Sequence, residues 1–232
     1  MSLISKRISA CARTNGWTMA PTDRVFADRA TAGAELARAV VERKLKPPIV
    51  VLGLPRGGVP VASEVARALH APLDVMVVRK IGMPGQPELA MGAIASGGIL
   101  VRDPRLSSAA GDERFERVVQ RERAELERRE SAYRAGLPPL DLGKRTVVLV
   151  DDGLATGSTM LAAVRAARKA GAASVVVAAP VASDEAAALL GAEADEVVIL
   201  QTPAFLLAIG EWYEQFEQLE DEEVQRLLQS TR

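Results

Sequence analysis

Residues Val147 to Met160 read VVLVDDGLATGSTM: an aliphatic run, two adjacent carboxylates, and a turn rich in Gly, Ser and Thr. The run is short and continuously apolar, which predicts a strand buried on both faces, as in a parallel sheet. Asp151 and Asp152 then fall at its carboxyl end, where open α/β sheets place their ligands. An acid at a strand end also serves as a turn residue or a helix cap. Two in succession before Gly153, however, form a costly like-charge pair unless a cation or hydroxyl groups sit opposite. After Leu154, the residues Ala155-Thr156-Gly157-Ser158-Thr159 lead into helical periodicity. Their amides can point at one spot, with the positive end of a helix dipole behind them. That pattern predicts an anion cradle.

The cradle does not fit the two commonest phosphate loops. A Walker A loop needs Gly, four residues and then Gly-Lys-Ser/Thr, whereas Gly153 and Gly157 are closer together and no Lys follows. A dinucleotide fingerprint needs G-x-G-x-x-G with an acid about twenty residues later; here the acids precede the loop. Two acids able to hold a diol, followed at once by a loop for a single phosphate, match the layout of a ribose 5-phosphate site.

Around this stretch the apolar periods alternate. Asp28 to Lys44 is helical in spacing, PPIVVLGL is strand-like, GGVPVASEVARALH is helical, LDVMVV and RTVVLV are strand-like, and Ser158 to Ala170 is helical. SVVVAAPV and DEVVIL follow as strands around the helical SDEAAALLG. Strands alternating with helices of this length predict an α/β fold, an open, mostly parallel twisted sheet with helices on both faces. Residues 81–105 interrupt the alternation with a Gly/Pro-rich stretch in which LAMGAIA and GILV read as a short hairpin around Ser96-Gly97-Gly98. Asp112 to Ala135 reads as one long charged helix, with Glu113/Arg117 and Glu125/Arg129 as i,i+4 pairs and a sparse stripe of Phe115, Val118, Val119, Leu126 and Tyr133.

A second ligand loop comes earlier. GLPRGGVP, Gly53 to Pro60, closes a strand and opens a helix, with Arg56 on a turn whose glycines let backbone approach an anion. By itself it is as compatible with a packing turn. Arg79 and Lys80 follow the next strand as two cations at the ligand edge. His70, the only histidine, lies at a helix end and reads as a cap or surface residue.

The strand with its paired acids and Thr-Gly-x-Thr turn resembles the phosphoribosyl pyrophosphate (PRPP) signature of type I phosphoribosyltransferases. The Arg-Gly-Gly turn is similar to the pyrophosphate loop of the xanthine-guanine members. From about Arg24 onward the chain resembles a bacterial group of phosphoribosyltransferase-like proteins. The resemblance implies 5-phosphate binding by Ala155, Thr156, Gly157, Ser158 and Thr159, and pyrophosphate binding by Pro55, Arg56, Gly57, Gly58, Arg79 and Lys80. Catalytic roles would fall on Asp151, Asp152, Arg56 and Lys80. It implies Mg²⁺ carried by PRPP and touching Asp151 and Asp152 at most through water. It further implies one domain over 24–232, a lid at about 81–105 with Gly82, Gly85 and Gly92 as hinges and Glu88 as a substrate contact, and a base-selecting hood from the N-terminal helix and about 202–232. Ala155 departs from the hypoxanthine-guanine members, which place an Asp there, and matches the adenine members.

Composition bounds the rest. The 232 residues are 48% hydrophobic, enough for one core, and 29 basic against 30 acidic residues give a net charge of −1, which signals no nucleic-acid face. No apolar run nears the roughly 18 residues of a membrane span. One cysteine, Cys11, forms no internal disulfide, so a cytoplasmic setting is expected. Residues 1–23 read as a poorly ordered leader, or as an over-long start before Met19. Trp212 and Tyr213 read as core or dimer contacts, and with the long helix make a homodimer plausible. The expected activity is Mg²⁺-dependent phosphoribosyl transfer from PRPP to a small nitrogenous, nucleobase-like acceptor. The alternative is a PRPP- or nucleotide-binding regulator without turnover.

Overall fold

The computed structural model describes residues 25–83, 85–135 and 140–230. The expectations for the leader, Cys11, Met19 and the side chain of Glu88 lie outside them. Helix α1 (Arg29–Val41) starts at Asp28, whose carboxylate accepts the Thr31 amide at 2.6 Å as an N-cap. Strand β1 (Ile49–Gly53), helix α2 (Gly58–Leu69) and strand β2 (Leu73–Val75) follow. His70 ends α2 in the left-handed conformation and is exposed, a cap as its position suggests.

The chain then leaves the alternation. Strands β3 (Val78–Met83), β4 (Gln86–Ala95) and β5 (Ile99–Arg102) form a separate antiparallel sheet, β4 and β5 joined through Ser96–Gly98 as the hairpin reading expects. The expected strand LDVMVV is thereby divided: it ends at Val75, and Val78 already belongs to the small sheet. Helices α3 (Pro104–Ala110) and α4 (Asp112–Arg134) come next, and α4 makes both expected ion pairs, Glu113–Arg117 at 3.3 Å and Glu125–Arg129 at 2.8 Å.

The remaining units are β6 (Thr146–Val150), α5 (Ser158–Lys169), β7 (Ser174–Val181), α6 (Asp184–Glu193), β8 (Glu196–Gln201) and the terminal α7 (Asp221–Ser230). The main sheet runs β2-β1-β6-β7-β8, parallel throughout. Every residue of β6 is buried, and β7 is buried from Val175 to Val181, so both faces are covered. One core lies between the sheet, α5 and α6, and another between the sheet, α1 and α2. The small sheet packs on α5, and α4 packs across β3. No helix among the described residues is long and apolar enough to cross a membrane.

Candidate active site

Parallel strands β1 and β6 are neighbours, and Gly53 pairs with Val150 in register, so both ligand loops leave the sheet side by side. The Leu54 amide donates to the Val150 carbonyl at 2.9 Å, which fixes where the first loop turns. Gly57 and Gly58 then press on the acids. A Cβ on Gly57 would stand 2.0 Å from Asp152 Oδ2, and one on Gly58 would stand 2.6 Å from the Val150 carbonyl oxygen and 3.0 Å from Asp151 Oδ1. Only glycine permits that approach. The Pro55–Arg56 peptide just before these glycines is cis.

On the other side, Leu154 bridges to Ala182: its amide donates to the Val181 carbonyl at 3.0 Å, and Ser183 Oγ donates to the Ala155 carbonyl at 2.6 Å. These bonds hold the start and the floor of the 155–159 turn. Gly157 closes it at φ 69°, a left-handed conformation that lets α5 begin abruptly. Thr156 Oγ1 and Ser158 Oγ lie 3.0 Å apart at the mouth. Among the described residues, the amides of Ala155, Thr156, Gly157 and Thr159 donate to no protein acceptor, which leaves them free at the start of α5.

The chain matches the phosphoribosyl transferase domain over residues 23–220. It belongs to that family. Two Mycobacterium tuberculosis proteins provisionally named phosphoribosyl transferases are each 47% identical over 207 residues, 87% of this chain. The match spans 46% of each, so the chain covers about half the length of these curated relatives. The crystal structure of TT1426 from Thermus thermophilus is 47% identical, with a TM-score of 0.83 over 89% of this chain and 98% of that one.

Within this candidate site the charges are unevenly met. Asp152 Oδ2 accepts from Arg29 Nε at 2.8 Å, both side chains being nearly covered, at 12% and 14% exposure. Arg29 is itself clamped, 3.8 Å above the Phe216 ring and donating to the Glu217 carbonyl at 2.9 Å. The Asp151 carboxylate accepts from the Asp152 amide, which donates to its Oδ1 at 3.0 Å. Burial first, and the Asp152 charge second, push the Asp151 carboxyl well above the ordinary carboxylate range. Tyr213 donates its hydroxyl to the Asp152 carbonyl at 2.6 Å, and burial raises its titration too.

Arg56 lines a cavity of about 310 Å³ together with Gly57, Asp152 and Arg29. Its guanidinium stands 3.7 Å from Asp221 and 3.9 Å from Glu220, so the C-terminal segment lies across the pyrophosphate-type loop. Arg79 and Lys80 line, with Thr159, a cavity whose lining does not include Arg56, and Arg79 is drawn onto Glu122 of α4. The early end of β2 places residues 78–80 in the small sheet.

Arg29, Phe216 and Asp221 escaped the sequence reading, in which Tyr213 is a core or dimer contact and not part of the site. Arg29 and Asp152 are 123 positions apart, and no local spacing announces such a pair. Glu122 did leave a signal, since it stands in helical phase with Phe115, Val119 and Leu126 and is buried with them.

Proposed function

We propose that this chain transfers the 5-phosphoribosyl group of PRPP to a small nitrogenous acceptor and releases pyrophosphate. The observation that carries this is the contact of Gly57 and Gly58 with Asp152 and Asp151, beside a phosphate turn whose amides are free. A loop for one anion, two acids for a diol and a cradle for a second phosphate thus converge at one sheet edge.

In this reading the amides of Ala155 to Thr159 and the Thr156 and Ser158 hydroxyls hold the 5-phosphate. Asp151 and Asp152 accept from the ribose hydroxyls, and Arg56 with the loop at 55–58 receives the pyrophosphate. The C1–O bond to pyrophosphate breaks, its electron pair leaving with the oxygen. The acceptor nitrogen's lone pair forms the new C1–N bond, and its proton passes to solvent. Positive charge grows on the ribose next to the two carboxylates, and negative charge grows beside Arg56; both are met by preorganised groups. Arg56 must first release Asp221 and Glu220.

Among the described residues no three His, Cys, Asp or Glu side chains gather as a metal cage. Two adjacent carboxylates, one with its titration raised, nevertheless suit a hard cation held mainly by substrate oxygens. Mg²⁺ would supply charge neutralisation of the leaving pyrophosphate there. The single cysteine fits a cytoplasmic setting.

The test is pyrophosphate release from PRPP and Mg²⁺ over a panel of nucleobases, small amines and aromatic acids. Release that depends on one acceptor supports transfer. Binding of PRPP with silence across the panel would favour a regulator that kept the ribose-phosphate site.

A further inference from the structure

Residues Glu214 to Glu223 hold six acids and no base, yet Phe216 to Leu219 line the same cavity as Arg56 and Asp152. An acidic segment beside two aspartates stays there against its own charge, so specific contacts must hold it. Those contacts fall on the two groups of opposite sign that the donor needs. Asp221 Oδ1 lies 3.7 Å and Glu220 Oε2 3.9 Å from Arg56 Nη1, so two carboxylates face the guanidinium assigned to pyrophosphate. Arg29 donates through Nε to Asp152 Oδ2 at 2.8 Å and through Nη1 to the Glu217 carbonyl at 2.9 Å. One arginine thus ties the segment to the acid assigned to the ribose.

The segment is also built to let go. Its ends are fixed, by buried Tyr213 on one side and by Val224 and Leu228 of α7, both in the core, on the other. Between them residues 215–220 belong to no helix or strand, and Gln215 to Gln218 are exposed. So few buried apolar groups mark an element that opens at low cost. The ion pairs to Arg56 are longer than hydrogen bonds, which leaves its N–H groups to offer. A pyrophosphate that accepts two of them in short, charge-assisted bonds displaces the carboxylates. Asp221 is not stranded when that happens, because the same Oδ1 accepts from the Tyr133 hydroxyl of α4 at 2.7 Å.

We infer that residues 216–221 are an internal competitor of the donor, with Glu220 and Asp221 standing in for pyrophosphate on Arg56. PRPP binds only the fraction of molecules in which this strap has released Arg56, and its affinity is scaled down by that fraction. The inference rests on the donor reading of the Arg56 loop and adds to it a built-in restraint.

The test is calorimetric titration of PRPP with Mg²⁺ into three full chains: the wild type, Glu220→Gln with Asp221→Asn, and Glu214→Gln with Glu222→Gln. Each double variant removes two negative charges from the same segment. Glu214 and Glu222 are exposed and make no ion pair among the described residues, so the second pair controls for net charge. Asparagine at 221 keeps an oxygen for Tyr133, which protects the fold. The first double variant should bind PRPP about threefold tighter or more, and the control should stay within about twofold of the wild type. Equal affinity in all three proteins would overturn this inference alone and leave the donor reading standing. An equal gain in both double variants would reduce the effect to net charge and overturn it as well. Silence toward PRPP in all three would sink the donor reading and this inference with it.

Discussion

Asp151 and Asp152 are adjacent in sequence and opposite in circumstance. Asp152 has a guanidinium at 2.8 Å, whereas Asp151 is half-buried beside a like charge. Removing the Asp151 charge should therefore stabilise the ligand-free protein. Asp152→Asn should destabilise it, because Arg29 would lose its partner in a nearly covered position. Thermal melts of the two single variants check this asymmetry. The pH dependence has a defined sign. A carboxyl whose folded pKa lies above its unfolded value of about 3.9 binds its proton more tightly when folded, so its contribution to stability is present at low pH and lost as pH rises through the folded value. Wild-type stability should fall across that window relative to Asp151→Asn, measured by urea midpoints at successive pH values. The identity of both acids was legible from the sequence, because a strand end followed by a turn is a local pattern. Their inequality was not, since it depends on Arg29 from the far end of the chain.

Elements explain why the two loops must meet. Register between β1 and β6 brings the Arg-Gly-Gly turn against the paired acids, and the two glycines take up the space that side chains would need. A methyl group at Gly57 would collide with the Asp152 carboxylate, at the far end of a side chain that can swing. Gly57→Ala should thus weaken PRPP binding at least tenfold, with a stability loss no larger than that of Asp152→Asn, since it disturbs the same Arg29–Asp152 contact. At Gly58 the obstacle is backbone, the Val150 carbonyl, and overpacking of that kind costs about 1–3 kcal/mol. Calorimetry and denaturant unfolding of both variants separate the two effects. Most elements were legible from periodicity, including the β4–β5 hairpin and α4. Strand β3 was not, because VMVV reads as one apolar run although it divides between two sheets. That division places Arg79 and Lys80 on the small sheet.

Across the whole molecule, the first and last described segments close on each other. The Phe26 amide donates to the Trp212 carbonyl at 2.9 Å, the Glu214 amide to the Phe26 carbonyl at 2.8 Å, and Phe26, Trp212 and Tyr213 share a core cluster beside the site. Trp212 and Tyr213 are buried, which agrees with the core reading of these aromatics. Trp212→Ala should cost about 3–5 kcal/mol in denaturant unfolding and release the segment that holds Arg29 over Asp152. Joining of the chain ends was expected only through family resemblance, since the partners are remote in sequence and α7 lies in a tail whose local pattern is dominated by acids. The most direct measurement is calorimetric titration of PRPP with Mg²⁺ into the wild-type chain and into the Asp151→Asn, Asp152→Asn double variant. Binding by the wild type and its loss in a double variant with an unchanged circular dichroism spectrum is the expected result. Equal affinity in both proteins would contradict the assignment of the ribose to this pair of acids.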